Sequence, residues 1–384
     1  MMKNDYDALA LDLHRKLKGK LSIIPKLEIK DQEDLSTVYT PGVGAVSKAI
    51  SEDASLSWDL TSARQTIGII SNGSAVLGLG NIGAAASLPV MEGKALLLKQ
   101  FAGVDAWPLV IDADSVDQMF EIIMAVAPNF GAINLEDIRA PECFELERRL
   151  IEHLDIAVMH DDQHGTAIVV LAGLINASKV VNKDINQSRV VILGAGAAGQ
   201  AIARLIVEQY PDAEVLVVDR EGIIYLGRPG LRFDKADLAK ITNKRLIQGQ
   251  AEVAIKGSDI LIGVSGPGSI TPDMVKTMAD QAIIFALANP IPEIDPGLAK
   301  QAGAMVVATG RSDYPNQVNN ALAFPGIFKG VLEYQIKRIT SEHKLAAARE
   351  IASFIEDPDQ DLIIPSVFQL DLVDRIAKAI GEIG

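Results

Sequence analysis

The chain has 384 residues, more than one ordinary hydrophobic core accommodates and suited to two domains. Hydrophobic residues make up 48% and aromatics only 5%, a mixture that fits helices packed on parallel strands better than an all-β sandwich. A formal charge of -14 argues against a nucleic-acid partner, and a single cysteine, Cys143, excludes an internal disulfide.

The polar start, residues 1–7, has no apolar signal core. No apolar run reaches the roughly 18 residues a membrane span needs, so no membrane partner and a cytoplasmic location are expected. Tyr6, Leu9, Leu13 and Leu17 recur at helical spacing and predict an opening amphipathic helix. Tyr39-Thr40-Pro41-Gly42-Val43-Gly44 reads as a sharp turn after a short extended run. From Thr66 onward strands and helices alternate. Strands are predicted at 109–111, 132–135 and 156–159, helices at 89–101 and 115–127, and a long apolar helix at 166–181 serves as the hinge. Further strands follow at 190–193, 214–218, 260–262, 282–286 and 305–308; Thr271-Pro272 opens a helix, and helix dominates beyond Asn320. This rhythm predicts an α/β fold of two domains. Residues 1–165 form a smaller α/β domain with a parallel sheet. Residues 166–384 form a Rossmann-type doubly wound parallel sheet with a helical C-terminal segment.

Gly194-Ala195-Gly196-Ala197-Ala198-Gly199 follows a buried strand and opens a helix. In that setting the glycines let backbone N–H groups approach a pyrophosphate at a helix N-terminus. Asp219 ends the next strand, where a ribose-binding acid belongs; it favours NAD and repels a 2′-phosphate. Arg220 follows and could pair with such a phosphate, so NADP stays open.

Two acidic pairs, Glu136-Asp137 and Asp161-Asp162, end predicted strands, the edge where parallel sheets bind ligands. Converging carboxylates there would suit Mg²⁺ or Mn²⁺; otherwise they cap helices or face water. Asp112 and Asp114 suit a helix cap before Ser115 and stay outside the site. Lys94 shares its helix face with Met91, Leu97, Leu98 and Phe101, whereas Glu92 and Lys99 lie opposite. Desolvation would lower its pKa and provide a general base; the alternative is a snorkelling side chain.

In these residues the chain resembles the malic enzyme family. The runs that carry the likeness are Tyr39 to Gly44, Leu77-Gly78-Leu79-Gly80-Asn81-Ile82-Gly83, Glu92-Gly93-Lys94, and Asn134-Leu135-Glu136-Asp137-Ile138. His160-Asp161-Asp162-Gln163-His164-Gly165-Thr166-Ala167, Ala288-Asn289-Pro290, and Gly310 to Tyr314 with Asn319-Asn320 complete it. The resemblance implies oxidative decarboxylation of malate to pyruvate with reduction of NAD(P). It implies Tyr39 and Lys94 as catalytic residues, with Asp161 supporting the lysine. Glu136, Asp137 and Asp162 are implied as metal ligands, and Asn289, Asn319 and Asn320 as substrate or cofactor contacts. Longer relatives carry an arginine where this chain has Val76, so the malate carboxylate must be held otherwise, for example by Asn289, Asn320 and the amides of the turn Ser71-Asn72-Gly73-Ser74. A homodimer is expected from the apolar first helix and the resemblance, with a partner chain able to complete the site. The alternatives are a malolactic-type enzyme that retains NAD, an amino-acid dehydrogenase-like oxidoreductase, and a non-enzymatic NAD sensor.

Overall fold

The computed structural model describes residues 6–383, so most of the polar start lies outside the described residues. Two sheets organise the chain. The first contains β1 (Thr66–Ser71), β2 (Asp105–Val110), β3 (Ala132–Leu135) and β4 (Ala157–His160), all parallel, in the order β2-β1-β3-β4. Every residue of β1 is buried, as expected of a strand with helices over both faces. The second sheet contains β5 (Arg189–Leu193), β6 (Glu214–Asp219), β7 (Gly222–Ile223), β8 (Ile260–Gly263), β9 (Ala282–Ala286) and β10 (Ala304–Thr309). Its order is β10-β9-β8-β5-β6-β7, parallel except for β7. In each sheet the chain runs out on one side and returns to the other, so crevices open between the C-terminal ends of β1 and β3 and of β5 and β8.

The hinge helix spans Asp161–Val180 and so begins earlier than the pattern 166–181 suggested. Asp161 and Asp162 fill its first turn, where carboxylates meet unpaired backbone N–H groups and the positive end of the helix dipole. This helix is apolar on nearly every side, and a helix of that kind must be buried all round. One core therefore runs through it, joining Ile67 and Met159 of the first sheet to Ile192 and Phe285 of the second through Ile168, Leu171 and Leu174. Two separate cores were expected from chain length; the shared hinge merges their inner faces. The outer faces keep their own clusters, Ile123, Ile133 and Leu146 on the first sheet and Leu216, Leu261 and Ala299 on the second. Helices Phe324–Glu333 and Leu372–Gly381 pack on each other and return to helix Ala84–Ala102 of the first sheet's unit.

The predicted first helix is present as Tyr6–Leu17. The extended run expected before Tyr39 is instead a helix, Gln32–Val38, started by Asp31, whose side chain accepts from the Asp34 N–H. None of residues 6–62 is buried. Among the described residues no helix is long and apolar enough to cross a membrane.

Candidate active site

The acidic pairs meet at the crevice of the first sheet. Asn134 and Glu136 are two residues apart at the end of β3 and face the same way; Asn134 Nδ2 donates to Glu136 Oε2 at 2.9 Å. Asp137 follows with φ +53°, a left-handed conformation that aspartate tolerates, and turns its backbone N–H onto Asp162 Oδ2 at 2.8 Å. His160 Nε2 lies 3.2 Å from that same oxygen. One oxygen each from Glu136, Asp137 and Asp162 then lie within 4.8 Å of one another. At that spacing two like charges repel by roughly 3 kcal/mol, taking an effective dielectric of about 20. An all-oxygen donor set with such repulsion fits a hard divalent cation, Mg²⁺ or Mn²⁺.

Lys94, buried in helix Ala84–Ala102, reaches the same cluster. Its Nζ donates to Glu136 Oε1 at 2.5 Å and to Asp161 Oδ2, and lies 4.5 Å from the Phe324 ring centre. Asn320 Nδ2 donates to Asp161 Oδ2 at 2.6 Å from the far side. The expected pKa lowering does not survive this setting. Burial does push the amine down, but the charges of Asp161, Glu136 and Asp162 outweigh it and hold Lys94 protonated. Burial pushes Glu136 and Asp161 up. It acts on Asp162 in the same sense, but His160 and Lys94 prevail and keep that carboxyl below its usual range. Lys99 pairs with Asp105, and Glu92 accepts from the Lys20 backbone N–H, so the helix's opposite face is polar as predicted.

These groups line a cleft of about 660 Å³ that includes Lys20, Lys94, Glu136, Asp137, Asp162 and Asn320. Tyr39 is not among its lining residues and is 67% exposed on the N-terminal arm. Asn289 is exposed, with its carbonyl packed against Gly78. The Asn319 side chain caps the next turn by accepting from the Ala321 N–H. The amides proposed to hold a carboxylate are partly used: Gly73 N–H donates to Ser71 Oγ at 3.0 Å and Ser74 N–H to Asn72 Oδ1 at 3.2 Å. That turn instead braces the acidic loop, with Ala75 N–H on the Asp137 carbonyl and Arg139 N–H on Ser74 Oγ.

Several contributors escaped sequence reading. Alternation along β3 could have revealed Asn134, because it shares a face with Glu136. Glu147, on helix Glu142–His153, gave no such signal. Its carboxylate accepts from the His160 N–H, Gln163 Nε2 and His164 Nε2, and so ties that helix to the start of the hinge. Burial pushes Glu147 up, but His164 and Lys344 outweigh it and lower its pKa to about 2. A larger cavity of about 760 Å³ adjoins this network and shares no lining residue with the acidic cleft.

At the crevice of the second sheet the glycine loop has the form its spacing predicts. Gly194 has φ +116°, and a Cβ there would lie 2.3 Å from the Val264 carbonyl oxygen. A Cβ on Gly199 would meet the Gly194 carbonyl oxygen at 1.8 Å, whereas one on Gly196 would point into open space. The loop is thus closed towards its own strand and open where a pyrophosphate would approach the helix Ala197–Gln209. Buried Glu293 accepts from Ser265 and Ala288 N–H groups and braces the loops after β8 and β9. Asp219 ends β6 as expected but is not free: Arg228 grips both its oxygens, Lys235 Nζ lies 2.6 Å from Oδ2, and the Glu221 N–H binds Oδ1. Burial opposes its charge, yet these cations hold its pKa at about 2. The lean towards NAD drawn from a free carboxylate therefore loses its basis.

Fold and site together define a nicotinamide-linked oxidoreductase of two parallel-sheet units. Residues 18–115 and 113–151 match the family model "Malic enzyme, N-terminal domain", and residues 163–383 match "Malic enzyme, NAD binding domain". The chain belongs to the malic enzyme family. It is 49% identical over 366 residues to the NAD-dependent malic enzyme of Geobacillus stearothermophilus, covering 95% of this chain and 76% of that protein. It is 47% identical over 376 residues to the bifunctional malic/malolactic enzyme of Bacillus subtilis (strain 168), covering 97% and 92%. The crystal structure of the NAD-dependent malic enzyme from Thermotoga maritima superposes with a TM-score of 0.94 at 45% identity, over 97% and 98% of the two chains.

Proposed function

We propose that the chain oxidatively decarboxylates (S)-malate to pyruvate and CO₂ with NAD(P), using Mg²⁺ or Mn²⁺ at Glu136, Asp137 and Asp162, and that it also decarboxylates oxaloacetate. The observation that carries this reading is the buried Lys94 bridging Asp161 to Glu136, itself one of the three convergent carboxylates. When bound, the cation and the nicotinamide supply the Lewis acid and the hydride acceptor, and the ion's charge offsets the acidic field on Lys94. Lys94 is then positioned to take the proton of the substrate's C2 hydroxyl. Asp161 orients its amine, and Asn320, from the segment beyond the second sheet, fixes Asp161. The glycine loop from Gly194 to Gly199 holds the pyrophosphate. Asn289 and Asn319 contact substrate or cofactor. Residues 1–165 form the substrate unit and 166–384 the nucleotide unit, in the cytoplasm.

Tyr39 returns a proton to C3, and in our reading it comes from a second copy of the chain. Leu9, Ile23, Ile24 and Leu35 on the same arm are 57%, 83%, 80% and 38% exposed, apolar surface that a homodimer would cover. A malolactic outcome, with NAD retained and lactate formed, is the second reading, favoured by the bifunctional relative.

The test is an assay of malate with Mn²⁺ and each cofactor, following NAD(P)H and pyruvate together. Matched formation of both, abolished by EDTA, is expected. Lactate without NADH accumulation would select the second reading, and full turnover in EDTA would remove the metal site.

A further inference from the structure

We propose that Lys20 binds the malate carboxylate that is retained in pyruvate. This rests on the malate reading above and adds a residue to its substrate site.

A dicarboxylate entering a cleft lined by Glu136, Asp137 and Asp162 needs positive charge beyond any ion those acids hold. The cleft offers two cations, Lys20 and Lys94. Lys94 is committed to Glu136 and Asp161. Lys20 is different: its Nζ donates to the Pro89 carbonyl at 2.8 Å, and among the described residues it has no carboxylate within ion-pair distance. A neutral carbonyl is a weaker partner for an ammonium than a carboxylate, so a substrate carboxylate can replace or join it.

The direction of this side chain is built into the fold. Gly19 has φ +107°, and a Cβ there would lie 2.9 Å from Glu92 Oε1. Glu92 Oε2 accepts from the Lys20 N–H at 3.1 Å. Glu92 thus pins the backbone at Gly19–Lys20 to helix Ala84–Ala102, and from there the Lys20 side chain reaches Pro89 and enters the lining of the cleft that holds Lys94. The amine passes beside Gly93, where a Cβ would lie in ordinary contact with Lys20 Nζ at 3.5 Å. The other candidates for holding the carboxylate are poorer: Val76 is buried and apolar, the amides of Gly73 and Ser74 are taken, Asn320 Nδ2 is committed to Asp161, and Asn289 is not among the residues lining the cleft.

Chemistry decides which carboxylate. Once C2 is oxidised to a carbonyl, the C3–C4 bond breaks, its electron pair forms the C2–C3 double bond as the C2=O π pair moves onto oxygen, and the C4 carboxylate leaves as neutral CO₂. A cation against C4 would stabilise the starting carboxylate more than the product and slow the step. A cation against C1 carries no such penalty, since C1 stays charged throughout.

The experiment compares wild-type, Lys20→Met and Lys20→Arg chains with Mn²⁺ and cofactor, measuring KM for malate, KM for NAD(P), and the inhibition constant of pyruvate. Lys20→Met is expected to raise the malate KM and the pyruvate inhibition constant together, by roughly 10- to 100-fold, with the cofactor KM unchanged. Lys20→Arg, keeping the charge, should restore most of both. An unchanged malate KM in Lys20→Met overturns the proposal. So does a raised malate KM with unchanged pyruvate inhibition, which would put Lys20 on the departing carboxylate. Equal losses for malate and cofactor would mark a structural role and also overturn it. Failure of the malate reading is separate: it would appear as no pyruvate from the wild-type chain.

Discussion

Gly165→Ala isolates the geometry on which Lys94 depends. Gly165 lies inside the hinge helix, one turn after Asp161. On helix propensity alone, alanine would stabilise it by up to about 1 kcal/mol. The surroundings say otherwise, since a Cβ there would lie 1.9 Å from Asp161 Oδ1 and 3.2 Å from Asn320 Cβ. A flexible carboxylate could ordinarily swing aside. Here Asp161 Oδ2 is held by Lys94 and by Asn320 Nδ2, so moving Oδ1 carries Oδ2 away from both. Overpacking of this kind costs about 1–3 kcal/mol, so the net effect is destabilisation of up to about 2 kcal/mol. Misplacing the amine by about 1 Å predicts a fall in kcat of roughly 100-fold. Thermal unfolding and steady-state malate oxidation on the same preparation provide the check. A variant that melts at or above the wild-type temperature with full kcat would refute the claim that Asp161 must fold over this glycine.

Glu147 predicts a pH dependence. Its pKa is lowered from 4.5 to about 2 by His164 and Lys344 against the effect of burial, so its stabilisation is present above about pH 4.5 and is lost as pH falls towards 2. That amounts to about 3 kcal/mol, and denaturant titrations across this range should show it in the wild type and not in Glu147→Gln. Asp219→Asn removes the carboxylate that Arg228 and Lys235 share and leaves Arg228 the exposed Glu221 at 3.8 Å; the ratio of kcat/KM for NADP over NAD should rise by about tenfold, and an unchanged ratio would show that neither cation reaches the 2′ position. Chains carrying Tyr39→Phe and Lys94→Ala should each be inactive alone. Mixed at equal ratio and allowed to exchange, they should recover about a quarter of wild-type activity if the tyrosine acts across a dimer, because half the dimers then hold one intact site. No recovery would mean that Tyr39 works within its own chain, and an active Tyr39→Phe chain would mean that it does not work at all.

Local pattern sufficed wherever the physics is local. The start of the hinge helix at Asp161 was not legible, but the alternation of strands and helices, the glycine loop after β5 and the acidic pairs that follow β3 and β4 were. Each reflects backbone periodicity or a steric demand within a few residues. The state of Lys94 was not legible, because its stripe predicts desolvation but not the three carboxylates that arrive from other segments and outweigh it. Asp219 reads as a free ribose acceptor until folding brings Arg228 and Lys235 to it. Lys20 lies 74 residues from Lys94 and carries no periodic signal, so only the folded chain, with its amine on the Pro89 carbonyl, reveals that it lines the same cleft. Electrostatic character is a sum over neighbours in space, and those neighbours are chosen by tertiary structure rather than by sequence spacing.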